Sequence, residues 1–506
     1  MILSKQHISK IVPNKDLKIP NEKLFSLPEK VLQFGTGVLL RGLPDHLIDE
    51  ANRNGIFNGR IVVVKSTGKG GTDDFDKQGG LYTLCVRGLD KGVQKDEKII
   101  NASISRVLSA KEDWKKIMTY AADKDLQVII SNTTETGIKL VREGLLFASP
   151  PESYPGKLVV FLYERFKVFK GNASSGLVIL PTELISENGK QLRTICIQLA
   201  ELNHYESDFI HWLQTANDFC NTLVDRIVPG ALPVTEHRAV EKQLGYSDKL
   251  MIMAEPYYLW AIETTNERTK KTLSFVTKQS NAIICDNIYK YKEIKLRLLN
   301  ASHTFSCALA LQLGFTTVKQ AMENKFFRNY ISGLIEQEII PAIVGTEITL
   351  EEAKEFASKV IDRFANPFIA HEWLNISAQY TLKLVSRCIK VIENHYKFSK
   401  TAPKNITLGF AAYILFMRSR KNDEGKFIAT IRGKEFLITD DKASILHKHW
   451  QLEDPSKVVK AILKDETLWD MDLTNFPDFE ESVLRAMDSL SEKNTDTLLA
   501  HALTTP

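Results

Sequence analysis

Four short segments constrain this chain most. Residues 30–37 (KVLQFGTG), 60–67 (RIVVVKST), 126–135 (LQVIISNTTE) and 176–185 (GLVILPTELI) are apolar runs that give way to polar or glycine-bearing loops. Runs of this length read as strands of a buried sheet. A further short strand is expected at 83–89 (TLCVRGL), and helical spacing appears at 157–169 (KLVVFLYERFKVF). Strands alternating with helices imply a parallel sheet with helices on its faces. Past about residue 285 the pattern changes. Helix-like segments follow at 291–313, 350–364, 371–394, 404–419, 441–449, 456–464 and 478–502, and strand signals nearly vanish apart from KFIATIRGKEFLI. The chain therefore reads as an α/β N-terminal Rossmann-type domain with a parallel sheet (1–285) and an all-helical substrate or catalytic domain (286–506).

The bulk numbers narrow the class of function. A chain of 506 residues, 43% hydrophobic and 25% charged, is of ordinary globular composition and long enough for two or three domains. Sixty-six basic and 62 acidic residues give a net charge of +4, which argues against a nucleic-acid partner. No run of 18 apolar residues offers a membrane span. The opening stretch MILSKQHISKIVPNKDLKIP lacks the apolar core of a signal peptide. Six scattered cysteines form no CxxC pair, so a reducing, cytoplasmic setting is expected and a zinc site is not.

Two stretches carry chemistry. The first is VLQFGTGVLLRG, in which a strand runs through Phe34, Gly35 and Gly37 into a helical pattern. Glycines there let backbone approach a pyrophosphate at a helix N-terminus. The third glycine of the usual GxGxxG is displaced to Gly42. The second strand ends in Lys65 and Ser66, where a ribose-binding carboxylate would stand. Lys65 suits a 2′-phosphate or is a solvated strand-end lysine, so NAD and NADP both remain open. The second stretch is YKEIKLRLLNASHTFSCALALQLG, residues 291–314. At 100° per residue, Lys295, Asn300 and His303 fall within an arc of about 140°. A lysine in a dry cleft gives up its proton more readily and can exchange it with an alcohol or ketone. Asn can hold an oxygen on which charge develops, and His can orient the substrate. The same spacing fits a core helix whose lysine snorkels and whose histidine is packed.

The segment KLRLLNASHT resembles the K-x4-N-x2-H signature of the polyol-specific long-chain dehydrogenases, the mannitol dehydrogenase family. SNTTETGI (131–138), SYPGKLVVFLYERF (153–166), LPTELISENG (180–189), FCNTLVDRIVPG (219–230) and RFANPFIAHEWLNISAQYTLKLVSR (363–387) follow in that family's order. The resemblance spans nearly the whole chain. It implies a metal-free, NAD-dependent and reversible reduction of a ketouronate to an aldonate. Fructuronate reduction and mannitol oxidation are alternatives within the family, and a cofactor-binding protein without chemistry is a third. The resemblance makes Lys295 the general acid/base. Asn300 and Asn188 would hold the reacting oxygen, and His303 would position the substrate. Phe34, Gly35, Gly37, Lys65, Ser131, Asn132, Thr133 and Thr134 would line the cofactor. Lys383 would also reach the substrate, and Lys383, Arg387 and Arg363 are candidates to meet its carboxylate. His371 and Trp373 read as packing residues. Leu39 and Leu40 depart from the family's loop, and Lys65 departs from its second-strand carboxylate. Family members are often monomers, and a monomer is expected.

Overall fold

The computed structural model describes residues 1–66, 72–133, 137–145, 149–278 and 280–490. It divides into two compact units, one of residues 1–87 and 94–288, the other of residues 88–93 and the chain from Tyr289 onward.

The first unit is built on six parallel strands: β1 Glu29–Phe34, β2 Arg60–Lys65, β3 Ile104–Ser109, β4 Val128–Ser131, β5 Val178–Pro181 and β6 Asp218–Phe219. Their order across the sheet is β3-β2-β1-β4-β5-β6, the doubly wound order of dinucleotide-binding folds. The reason lies in the strand sequences. Side chains alternate between faces along a strand, and here both sets are apolar. Val31, Ile61, Val63, Val128 and Val178 enter one core, while Leu32, Val62, Val64, Ile129 and Ile179 enter another. A sheet apolar on both faces must be covered on both. On one side helices α3 (Tyr154–Val168) and α4 (Asn188–Leu202) supply Leu158, Leu162, Leu192 and Leu199. On the other, helix α2 (Pro44–Arg53) is joined by strands the sequence reading did not anticipate. Asn221–Asp225, Leu259–Glu263 and Ala282–Cys285 form a three-stranded sheet, and its Trp260 and Ile262 pack into the same core. Helices alone therefore do not cover that face.

The second unit is mostly rather than wholly helical. Ser419–Lys421, Phe427–Ile431 and Lys434–Leu437 form an antiparallel three-stranded sheet. Its central helix, α5 (Ser302–Gln312), is buried nearly throughout. The serines there return their hydroxyls to their own helix: Ser302 Oγ donates to the Leu298 carbonyl at 2.5 Å and Ser306 Oγ to that of Ser302 at 2.6 Å. Helix α6 (Leu350–Phe364) starts in a capping box between Thr349 and Glu352. Helix α7 (Lys404–Phe416) crosses close to α5 because Gly409 has no side chain; a Cβ there would lie 2.3 Å from the Phe305 carbonyl oxygen.

The expected single helices at 291–313 and 371–394 are interrupted. Lys295–Ala301, Leu334–Ile339 and Val385–Ile389 are π-helical turns. Arg297 joins the first to the last. Its Nη1 donates to the Ser386 and Arg387 carbonyls at 2.9 and 2.7 Å, while Nε pairs with Glu293 at 3.0 Å. Tyr380 is spliced into α5: its hydroxyl donates to the Thr304 carbonyl at 2.7 Å and accepts from the Ala308 N–H at 3.0 Å.

Asp45, in the first turn of α2, is fully buried, and burial pushes its carboxyl up from the ordinary 3.8 to about 8 against the pull of Gln33 and Arg41. A carboxyl with a raised folded pKa favours folding when protonated, so its contribution is present at acid pH and lost as pH climbs through about 8. Asp45→Asn should therefore raise Tm, with a gain that grows from pH 5 to pH 8 and levels off above. A pH-independent Tm difference in calorimetry would contradict this assignment.

Candidate active site

In the first unit, β1 and β4 are neighbours at the point where the strand order reverses, and the loops after their carboxyl ends converge. Gly35 adopts φ +128°, a conformation L side chains rarely take. A Cβ on it would stand 2.9 Å from the Leu40 side chain and 3.0 Å from the Asn132 carbonyl oxygen. Gly37 caps the short helix α1 (Val38–Gly42) and has nothing within 4 Å of where its Cβ would be. Gly42 instead packs on Val228, 2.8 Å from a virtual Cβ. The displaced third glycine thus serves packing, while the first two open the loop.

Beside them lies a cavity of about 480 Å³. Of the residues singled out from sequence, Phe34, Gly35, Gly37, Asn132 and Thr133 line it. Ser131 is fully buried and Lys65 is half-buried; neither belongs to the lining, and Ser66 takes the strand-end position instead. Thr134 lies outside the described residues. Sequence reasoning missed Tyr154 and Lys157 at the start of α3, both in the lining. Burial lowers the pKa of Lys157, whose Nζ donates to the Glu152 carbonyl at 2.6 Å. An open glycine turn, a helix start and a lysine around one cavity fit the diphosphate of a dinucleotide.

The loops behind the cavity are held by a carboxylate that sequence reasoning also missed. Glu183 is buried after β5 and accepts from the Thr133 N–H and hydroxyl at 2.9 and 3.0 Å and from Ser131 Oγ at 3.2 Å. Its only sequence signal was an acid directly behind a buried strand. Asn188 sits behind it and needs correction. Its amide nitrogen donates to the carbonyls of Pro181, Glu183 and Thr222 at 3.0, 3.0 and 3.1 Å, and its oxygen accepts from Gly189 and Thr222 N–H at 2.9 and 2.8 Å. The side chain is buried with its hydrogen-bonding capacity taken up by backbone. Asn188 thus holds the 182–187 loop and has no group left for a substrate oxygen.

In the second unit, Lys295 and Asn300 belong to the first π-turn and His303 to the first turn of α5. The 100° projection fails across a π-turn, but one continuous helical stretch still carries all three. Inserted π-turns recur at functional sites. Lys295 is half-buried rather than sequestered, and so is Asn300. His303 stacks on Phe364 with ring centres 3.9 Å apart and planes 11° from parallel. The rings of His371 and Trp373 meet it edge-on at 5.3 and 5.9 Å. His303 Nε2 and Trp373 Nε1 are buried and without a hydrogen-bond partner. Burial holds the His303 pKa well below its ordinary value, helped by His371, Arg363 and Arg387. His371 is lowered too, by burial and then by Arg363 and Lys383. His371 and Trp373 thus do pack, and what they pack against is His303. Among the described residues no group of three His, Cys, Asp or Glu could hold a metal, and no helix is long and apolar enough to cross a membrane.

The Mannitol dehydrogenase Rossmann domain matches residues 29–274 and the Mannitol dehydrogenase C-terminal domain matches residues 287–491. The altronate oxidoreductase of Halalkalibacterium halodurans is 34% identical over 479 residues, covering 93% of this chain and 92% of that protein. That of Bacillus subtilis is 33% identical over 469 residues, covering 92% and 93%. Among solved structures, Pseudomonas fluorescens mannitol 2-dehydrogenase in ternary complex with NAD and D-mannitol matches with TM-score 0.66 at 20% identity, covering both chains fully. A substrate-free D-sorbitol dehydrogenase matches with TM-score 0.78 at 18% identity, covering 99% of this chain and all of that one.

Gly37→Ala separates ligand contact from folding. Among the described residues nothing lies within 4 Å of the new methyl, so Tm should change little. Dinucleotide affinity in a fluorescence titration should fall about tenfold or more, a loss of about 1.4 kcal/mol. Unchanged affinity would remove Gly37 from the cofactor site.

Proposed function

The chain belongs to the mannitol dehydrogenase family and is an oxidoreductase of polyols or sugar acids; from that premise we propose that it is an altronate oxidoreductase. In this reading it reduces D-tagaturonate to D-altronate reversibly, using NAD(H), in hexuronate catabolism. The observation that carries the reading is the Lys295–Asn300–His303 set, intact on one helical stretch of a chain whose full-length relatives bear that name.

Bound NADH supplies the hydride. The glycine turn at Gly35 and Gly37 and the loop clipped by Glu183 hold the cofactor. Lys295 donates the proton to the new alkoxide, or removes it in the reverse direction, a role that contributes about 10² to 10⁴ in rate. The Asn300 side chain makes no hydrogen bond among the described residues. Its amide is available to the oxygen as charge grows there, an effect of about 10² to 10³. His303, kept neutral by burial, orients a hydroxyl of the sugar chain. Asn188 acts on loop geometry rather than on the substrate.

The direct test is NADH oxidation with D-tagaturonate, run beside D-fructuronate and D-fructose and repeated with NADPH. Preference for tagaturonate with NADH is expected; preference for either other ketose would move the assignment within the family. Lys295→Ala should lose several orders of magnitude in kcat yet bind NADH as before. Near-normal turnover would take Lys295 out of the chemistry.

A further inference from the structure

Arg387 differs from most desolvated arginines among the described residues. Arg41 also makes a single bond, to the Leu250 carbonyl, but it has the Asp45 and Asp248 carboxyls within electrostatic reach. Arg60, Arg165 and Arg226 each spend their guanidinium on backbone carbonyls, as Arg165 does on those of Ser175, Ala121, Asp123 and Leu126. Arg297 has Glu293 and two carbonyls. Arg387 has one long bond, from Nη1 to Thr304 Oγ1 at 3.3 Å. Its Nε and Nη2 donate to nothing among the described residues, and no carboxylate pairs with it there. Burial lowers its pKa, opposed only by the Cys388 thiol. A partly desolvated guanidinium without a counter-charge is costly to keep, and its planar fork matches a carboxylate in two-point fashion.

Its surroundings point the same way. Thr304, which receives that bond, gives its own hydroxyl proton to the Asn300 carbonyl at 2.7 Å, so Arg387 sits one helical turn from a residue of the proposed site. Lys383 is half-buried, its pKa lowered first by burial and next by Arg387, and its Nζ donates to the Ile376 carbonyl at 2.8 Å. His303 Nε2 and Trp373 Nε1 are buried and unpartnered nearby. The corner is rich in donors and positive charge.

We infer that Arg387 seats the carboxylate of the substrate and is the residue by which this chain selects sugar acids over neutral polyols and ketoses. This rests on the reading above and adds to it the group that recognises the acid. Lys383 contributes charge beside it, and Arg387 carries the two-point contact.

The test uses the full-length protein with Arg387→Met, which keeps the stem and removes the charge, and Arg387→Lys, which keeps the charge and loses the fork. With NADH, kcat/KM for D-tagaturonate should fall about 10²-fold or more in Arg387→Met, mostly through KM. Arg387→Lys should lie between it and wild type. Turnover of D-tagatose, the neutral counterpart, and NADH binding should stay within a few-fold of wild type. An equal fall on acid and neutral ketose, or none on the acid, overturns the inference. A second readout does not depend on turnover. D-altronate, D-mannonate and D-gluconate should raise the Tm of wild type and not of Arg387→Met, while altritol should act on both alike. If wild type shifts with these acids but does not reduce tagaturonate, the substrate assignment fails and the seat stands. If no acid shifts wild type, the seat fails.

Discussion

A sheet apolar on both faces leaves polar chemistry nowhere to go but its rim. In the first unit every residue of β4 and β5 is buried, so hydrogen-bonding side chains collect where those strands end. Glu183 and Asn188 stand there. Each is buried, and each is matched almost entirely to backbone or hydroxyl partners, which is what makes buried polar groups tolerable. The loop that Glu183 fixes at Thr133 lines the cavity beside Gly35 and Gly37. The second unit obeys the same constraint in helical form. Helix α5 is apolar along most of its length, and the candidate residues His303, Lys295 and Asn300 lie at its start and in the π-turn before it.

This explains what could be read from residues alone. The β2 run RIVVVK, the β4 run QVIIS and the helix LEEAKEFASKVIDRF carry their period in their composition, and all appear close to where they were expected. The strands Asn221–Asp225 and Leu259–Glu263 were not read, because their short mixed sequences have no strict alternation and draw their order from pairing. The π-turns were invisible for a different reason. A π-turn adds one residue to a turn without any marked change in composition, and here it is sustained by long-range partners such as Arg297 on the carbonyls of 386 and 387.

The site was legible in part. Residues that line the glycine cavity were recognisable, because glycine at φ +128° and an uncovered helix start leave a sequence trace. Asn188 was misread because an Asn followed by Gly after a strand looks the same whether it faces ligand or backbone; only its five bonds tell them apart. Glu183 and Arg387 were missed or left undecided, since whether a charged side chain has a partner is a tertiary fact. For both it is the central one. Glu183 accepts three bonds from the loops it holds and is placed as a structural group, while Arg387 is short of partners and therefore suited to a ligand.

Arg297 braces two of the π-turns against each other. It binds the backbone of the turn that carries Arg387 while itself sitting two residues from Lys295 and three from Asn300. The separation between the amine and the guanidinium is thereby set by a short braced frame rather than by two independent loops. With Lys295 and Arg387 in the roles proposed for them, such a frame would gauge chain length. A sugar acid whose keto carbon and acid end are spaced differently would reach one jaw of the caliper and miss the other.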